Sequence, residues 1–117
     1  MSKFSVFFLV SLLFSVPSFA RQTQLLSVDY RESTTSQLVL DFILSDSTEY
    51  KAFVLSEPNR LVVDFSETVL INNIAQPLKS SLYVKGVRTG TGGGQENKQA
   101  LRVVFDLKPG IEPHSIV

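Results

Sequence analysis

The sequence predicts an all-β protein: two small antiparallel sheets packed on each other as a sandwich and related by an internal repeat. Three observations predict it. A turn, Glu57-Pro58-Asn59, feeds the run Arg60-Leu61-Val62-Val63-Asp64-Phe65, in which Pro58 fixes φ and Asn59 tolerates turn geometry. The pattern of that run recurs position for position in Arg102-Val103-Val104-Phe105-Asp106-Leu107, and with Gln for Arg in Gln37-Leu38-Val39-Leu40-Asp41-Phe42, the signature of a repeated unit. Period-2 alternation then dominates the rest of the chain, with hairpin-length gaps between runs.

The 117-residue chain begins with a different signal. Lys3 precedes an apolar stretch, Phe4 to Val16, shorter than the about 20 residues a membrane-spanning helix needs. Pro17 breaks it, and Ser18-Phe19-Ala20 has the small-x-small form of a signal-peptidase site. Residues 1–20 therefore read as a secretory leader cleaved after Ala20, and residues 21–117 as one β domain. No Arg-Arg pair precedes the apolar run, so the general secretory route is expected rather than the twin-arginine one. The absence of cysteine excludes disulfides, lipoprotein acylation and thiolate metal sites. Without Lys3, ten basic side chains face eleven acidic ones. That near-neutrality offers no electrostatic handle for nucleic acid or anionic lipid.

In the β domain, Leu26, Val28 and Tyr30 alternate with polar residues as a half-buried strand. Glu32 to Ser36 is a turn, Leu38 to Leu44 a second strand, and Ser45 to Thr48 another turn. Tyr50 to Leu55 is the third strand and Arg60 to Phe65 the fourth. Within the fourth, Leu61, Val63 and Phe65 share the core face, while Arg60, Val62 and Asp64 share the other. Ser66 to Leu82, punctuated by Asn72-Asn73 and Pro77, has no clean period. It is expected to cross from one sheet to the other with one short helical turn. Tyr83 to Thr89 resumes strand character, Gly90 to Gln99 is a Gly-rich loop, and Leu101 to Leu107 carries the last repeat. Lys108-Pro109-Gly110 is a turn.

Arg102 lies 65 positions after Gln37. At that offset Ser115-Ile116-Val117 match Tyr50-Lys51-Ala52, so the second copy is expected to open its third strand at the end of the chain and to be truncated there.

The repeated segments carry a family resemblance. Val39 to Phe42, Phe53, Pro58, Arg60 to Phe65, Val87-Arg88-Thr89-Gly90 and Arg102 to Leu107 together resemble the AMIN domain, the N-terminal module of periplasmic N-acetylmuramoyl-L-alanine amidases and of type IV pilus secretins. The resemblance implies a non-catalytic periplasmic module that binds peptidoglycan and localises an attached domain. That domain would be a zinc-dependent amidase beyond Val117 or, alternatively, a secretin. A protein-docking module without glycan affinity is the third expectation.

The residue inventory opposes catalysis within these residues. His114 is the single histidine, with Glu112 its close acidic neighbour, whereas catalytic zinc takes about three N or O ligands. No Cys and no Gly-x-Ser-x-Gly elbow supply a nucleophile. The glycines at 90 and 92–94 lack the Gly-Lys-Ser/Thr and the helix of a phosphate loop. No cofactor is expected.

The charged residues inside the strands allow two readings. Arg60 and Asp64 are about 13 Å apart along one strand and cannot pair with each other, but Asp41, Asp64 and Asp106 can pair with arginines on neighbouring strands. Alternatively, Arg60, Arg88 and Arg102, which lie on positions matching the family, bind peptidoglycan. The planar guanidinium fork suits the carboxylates of the stem peptides.

Overall fold

The computed structural model describes residues 4–14, 22–78, 80–92 and 100–116. The chain forms β1 (Phe4–Phe14), β2 (Thr23–Ser33), β3 (Gln37–Leu44), β4 (Tyr50–Leu55) and β5 (Arg60–Ser66), followed by β6 (Thr68–Leu70), β7 (Gln76–Pro77), β8 (Val84–Gly92), β9 (Ala100–Leu107) and β10 (Ile111–Ile116). Two five-stranded sheets result. Sheet A has the order β10-β1-β3-β2-β6 and sheet B the order β4-β5-β9-β8-β7. The all-β sandwich is as expected.

Alternation of apolar and polar residues sets the inner faces. Leu38, Leu40, Phe42 and Leu44 of β3 point inward from sheet A. Leu61, Val63 and Phe65 of β5 meet them from sheet B with Val103, Phe105 and Leu107 of β9, and all are buried. Phe42 sits at the centre, edge-on to Phe65 at 5.0 Å and to Phe105 at 6.0 Å between ring centroids. Such edge-to-face contacts add to area burial.

The repeat is visible in the topology. β3 and β9 each lie inside a sheet beside a preceding antiparallel strand, β2 or β8. After each, the chain crosses to the opposite sheet and forms an edge strand, β4 or β10. The second of these begins at Ile111, four residues before the position a constant offset gives, because β9 ends two residues earlier than β3 at that offset and the β9–β10 turn (108–110) is two residues shorter than the β3–β4 turn (45–49).

Three elements differ from expectation. Ser66 to Leu82 starts and ends in sheet B instead of crossing to the other sheet, touches sheet A only through β6, and forms the short strands β6 and β7 instead of a helical turn. β6 adds to β2 and β7 to β8, where sheet edges offer unpaired backbone groups. The Gly90-Thr91-Gly92 stretch continues β8 rather than opening a loop, in register with Arg102, Leu101 and Ala100. The rest of the expected Gly-rich loop, 93–99, lies outside the described residues.

The segment expected as a leader provides the third difference. Phe4–Phe14 forms β1 and pairs in parallel with both β3 and β10, so sheet A is mixed while sheet B is antiparallel throughout. Val10 and Leu12 pack against the core. The Ser18-Phe19-Ala20 site lies outside the described residues. Among the described residues no helix is long and apolar enough to cross a membrane.

A polar clasp joins the two sheets at one end. The Ser81 hydroxyl donates to Glu32, whose other oxygen accepts the Leu82 N–H at 3.0 Å. The same hydroxyl accepts the Val84 N–H at 2.9 Å, and the Lys108 ammonium donates to the Ser81 carbonyl. The Tyr83 hydroxyl donates to the Ser33 carbonyl. The β2–β3 hairpin is thereby tied to the start of β8.

Candidate functional site

Period-2 alternation sends Arg60, Val62 and Asp64 of β5 and Arg102, Val104 and Asp106 of β9 to the outer face of sheet B. Arg88 of β8 stands opposite Val104 and so joins them. Phe53 of β4, opposite Val62, completes the face. The three arginines and two of the three aspartates singled out in the sequence therefore lie on one surface.

Their partners are specific. Asp64 faces Arg102 directly across β5 and β9. The Arg102 Nε donates to Asp64 Oδ1 at 2.8 Å and a terminal nitrogen to Oδ2 at 2.9 Å. Arg88 reaches diagonally to Asp106 with the same fork, at 2.7 and 2.9 Å. In each case the hydrogen bonds to the aspartate raise the guanidinium pKa above its ordinary value. The Arg102 guanidinium also lies 5.7 Å from the centroid of the Phe53 ring, within cation–π range.

Arg60 behaves differently. It lies directly opposite Asp106 in the ladder, yet Arg88 takes that carboxylate, and the Arg60 guanidinium donates to the Pro58 carbonyl at 2.8 Å. The alkyl stems of these arginines and the Phe53 ring account for an unusual feature. Val62 and Val104 are on the outer face but only 1% and 9% exposed, as expected where long cationic side chains lie along an apolar surface.

Asp41 belongs to the other sheet. Arg31 of β2 donates to it at 3.1 and 3.3 Å on the outer face of sheet A. Arg31 stands opposite Val39 as Arg88 stands opposite Val104, two residues before the respective aspartate, so the two diagonal pairs are the same pair in both repeats. Arg31 was not singled out in the sequence. Its signal was the hairpin register, which becomes evident only once β2 and β3 are paired.

Beside Arg88 and the Pro58 turn, whose Glu57–Pro58 peptide is cis, lies an open groove of about 910 Å³. Pro58, Asn59, Lys85, Arg88, Asp106 and Lys108 line it, and its walls are largely apolar. Asn59 donates to the Ile111 carbonyl at 2.9 Å. Among the described residues no three His, Asp or Glu side chains gather as metal ligands.

The AMIN domain family model matches residues 27–116. The chain belongs to the AMIN domain family. It is also similar to the N-acetylmuramoyl-L-alanine amidase AmiC of Escherichia coli O6:H1, with 34% identity over 70 residues. The match covers 56% of this chain and 16% of that amidase. No solved structure matches the chain. In this AMIN domain the outer face of sheet B thus presents two closed Arg–Asp forks, one arginine held only by a backbone carbonyl among the described residues, and an adjoining groove.

Proposed function

We propose that this AMIN domain is a non-catalytic periplasmic module that binds peptidoglycan and localises an N-acetylmuramoyl-L-alanine amidase activity carried by the same protein. The similarity to AmiC favours an amidase over a secretin as the attached activity. The observation that carries the binding assignment is the display of Arg60 and Arg88 next to the groove on a single sheet face.

The chemistry divides the three arginines. Arg60 spends one nitrogen on the Pro58 carbonyl, which leaves most of a guanidinium fork for a ligand carboxylate. Arg88 is 62% exposed although bonded to Asp106, so an incoming stem-peptide carboxylate can share it. Arg102 has both arms on Asp64 and a ring beside it. Its assigned role is to hold the face together. The apolar groove walls suit the faces of sugar rings and the alanyl methyl groups of the wall, with Lys85 and Lys108 at the margin.

Co-sedimentation with purified sacculi tests this. The wild type is expected in the pellet, and Arg60→Ala and Arg88→Ala largely in the supernatant at nearly unchanged melting temperature. Pelleting of both variants at the wild-type level removes them from the site. A folded wild type that stays in the supernatant favours a protein-docking module instead. Export is tested separately by mass spectrometry of periplasmic protein, with Arg21 expected as the new N-terminus. An intact Met1 in the membrane fraction refutes cleavage.

A further inference from the structure

The two repeats diverge beside their diagonal Arg–Asp forks. In sheet A the pairing is regular there: Val28 stands opposite Phe42, Asp29 opposite Asp41 and Arg31 opposite Val39. In sheet B, β8 sets Val84 opposite Leu107, Gly86 opposite Asp106 and Arg88 opposite Val104, with a register shift between Val84 and Gly86. Lys85 is therefore an extra residue, a β-bulge, and Gly86 stands where the first repeat has Asp29.

A bulge adds a side chain to one face of a strand and re-aims it. Val84 and Val87 are both buried in the core, so the two residues between them cannot alternate. Lys85 is exposed and lines the groove together with Gly86 and Arg88. The Lys85 carbonyl accepts the Leu78 N–H at 3.0 Å, which pins the bulge to the segment after β7. The local charge is thereby inverted between the sheets. Arg31 shares its face with two carboxylates, Asp29 and Asp41, directly opposite each other. Around Arg88 the second carboxylate is replaced by glycine, and the Lys85 ammonium is added. Glu57, on the Pro58 turn, is the other acidic side chain of the groove among the described residues. A glycine within a strand also lets a ligand approach the backbone closely.

A neutral sugar gains nothing from an inserted lysine and a deleted carboxylate, whereas an anion gains from both. In intact peptidoglycan the lactyl group of the muramic acid that bears a stem peptide is bound as an amide, so the free carboxylates belong to that peptide. Resting on the peptidoglycan-binding function above, we propose that the Lys85-Gly86 bulge is the specificity element of the groove, and that its ligand is the carboxylate-bearing stem peptide rather than the glycan strand. A carboxylate lies over Gly86 between the Lys85 ammonium and the Arg88 guanidinium, and alanyl methyl groups lie against Pro58 and Pro109. Sheet A, with Asp29 in the equivalent place, does not take this ligand.

The test uses the full chain and sacculi digested with an amidase, separated into soluble stem peptides and stripped glycan strands. The stripped strands carry the lactyl carboxylates that digestion frees, so they report whether any wall carboxylate suffices. In co-sedimentation with intact sacculi, the stem peptides are expected to release the wild type from the pellet and the stripped strands to leave it there. Lys85→Met, which keeps the aliphatic stem, should weaken binding about threefold. Gly86→Asp, which restores the residue of the first repeat, should weaken it at least about tenfold. If Gly86→Asp fails to fold, Lys85→Glu reverses the charge at an exposed site instead. Arg31→Ala, on sheet A, should bind as the wild type does. Competition by stripped strands equal to that by stem peptides overturns the proposal and leaves peptidoglycan binding standing. So does wild-type affinity in both bulge variants, or a loss in Arg31→Ala as large as theirs. A folded wild type that stays in the supernatant overturns both.

Discussion

Gly92 and Asp64 are joined by a space that only glycine leaves open: a Cβ at position 92 would lie 2.5 Å from Asp64 Oδ1 and 2.8 Å from the Arg102 Cβ. The close approach of β8 lets Asp64 receive both arms of Arg102 on a face where Asp64 is only 11% exposed. Gly92→Ala is expected to push the fork apart and destabilise the domain by about 1–3 kcal/mol. Gly90, with nothing within 4 Å of its added Cβ, is the control. Gly90→Ala should be neutral or stabilising by up to about 1 kcal/mol, since alanine loses less backbone freedom on folding. Urea melts compare the two.

The two forks on sheet B should differ in their contribution to stability. Arg102→Ala strands a mostly buried carboxylate and is expected to cost about 1–3 kcal/mol. Arg88→Ala removes an exposed partner and should cost less than about 1 kcal/mol. Equal losses in thermal or urea denaturation would contradict this assignment.

The aromatic centre of the sandwich predicts a larger effect. Phe65 and Phe105 are fully buried and both pack edge-on against Phe42. Phe65→Ala and Phe105→Ala should each lose about 3 kcal/mol or more, the usual cost of emptying a buried aromatic site. The reading is the shift in urea midpoint at constant slope.

Tyr30 sets an alkaline limit. Burial pushes its pKa from 10.0 up to about 12. In the unfolded chain the phenol ionises near its ordinary value, while the folded state resists ionisation. The stability that Tyr30 contributes is therefore fully present below about pH 10 and lost as pH rises toward 12. Tyr30→Phe should flatten the fall in melting temperature over that interval.

If the outer face of sheet B recognises carboxylates, sacculus binding should weaken as salt is added, because exposed charges are screened beyond about 8 Å at physiological ionic strength. Arg60→Lys should restore it only in part, since a point charge does not reproduce the fork. Sedimentation at graded salt concentrations measures both effects.

The sandwich and the inner faces of β5 and β9 were legible in the sequence, because both follow from a two-residue period that one-dimensional spacing records directly. The clustering of Arg60, Arg88 and Arg102 on one surface was not, because it depends on β5 of the first repeat pairing with β9 of the second, and β9 with β8. The same period marked Asp41, Asp64 and Asp106 as partners for arginine. It did not say which arginine each would take. Arg60 faces Asp106 but loses it to Arg88, a choice between a direct and a diagonal neighbour that depends on the twist and spacing of three strands. The short strands β6 and β7 carry no local signal, because a two- or three-residue strand is specified by the sheet edge it joins. Likewise the apolar run Phe4–Phe14 has a composition that a signal peptide and a sheet strand share, and its pairing with β3 and β10 is seen only in the tertiary structure.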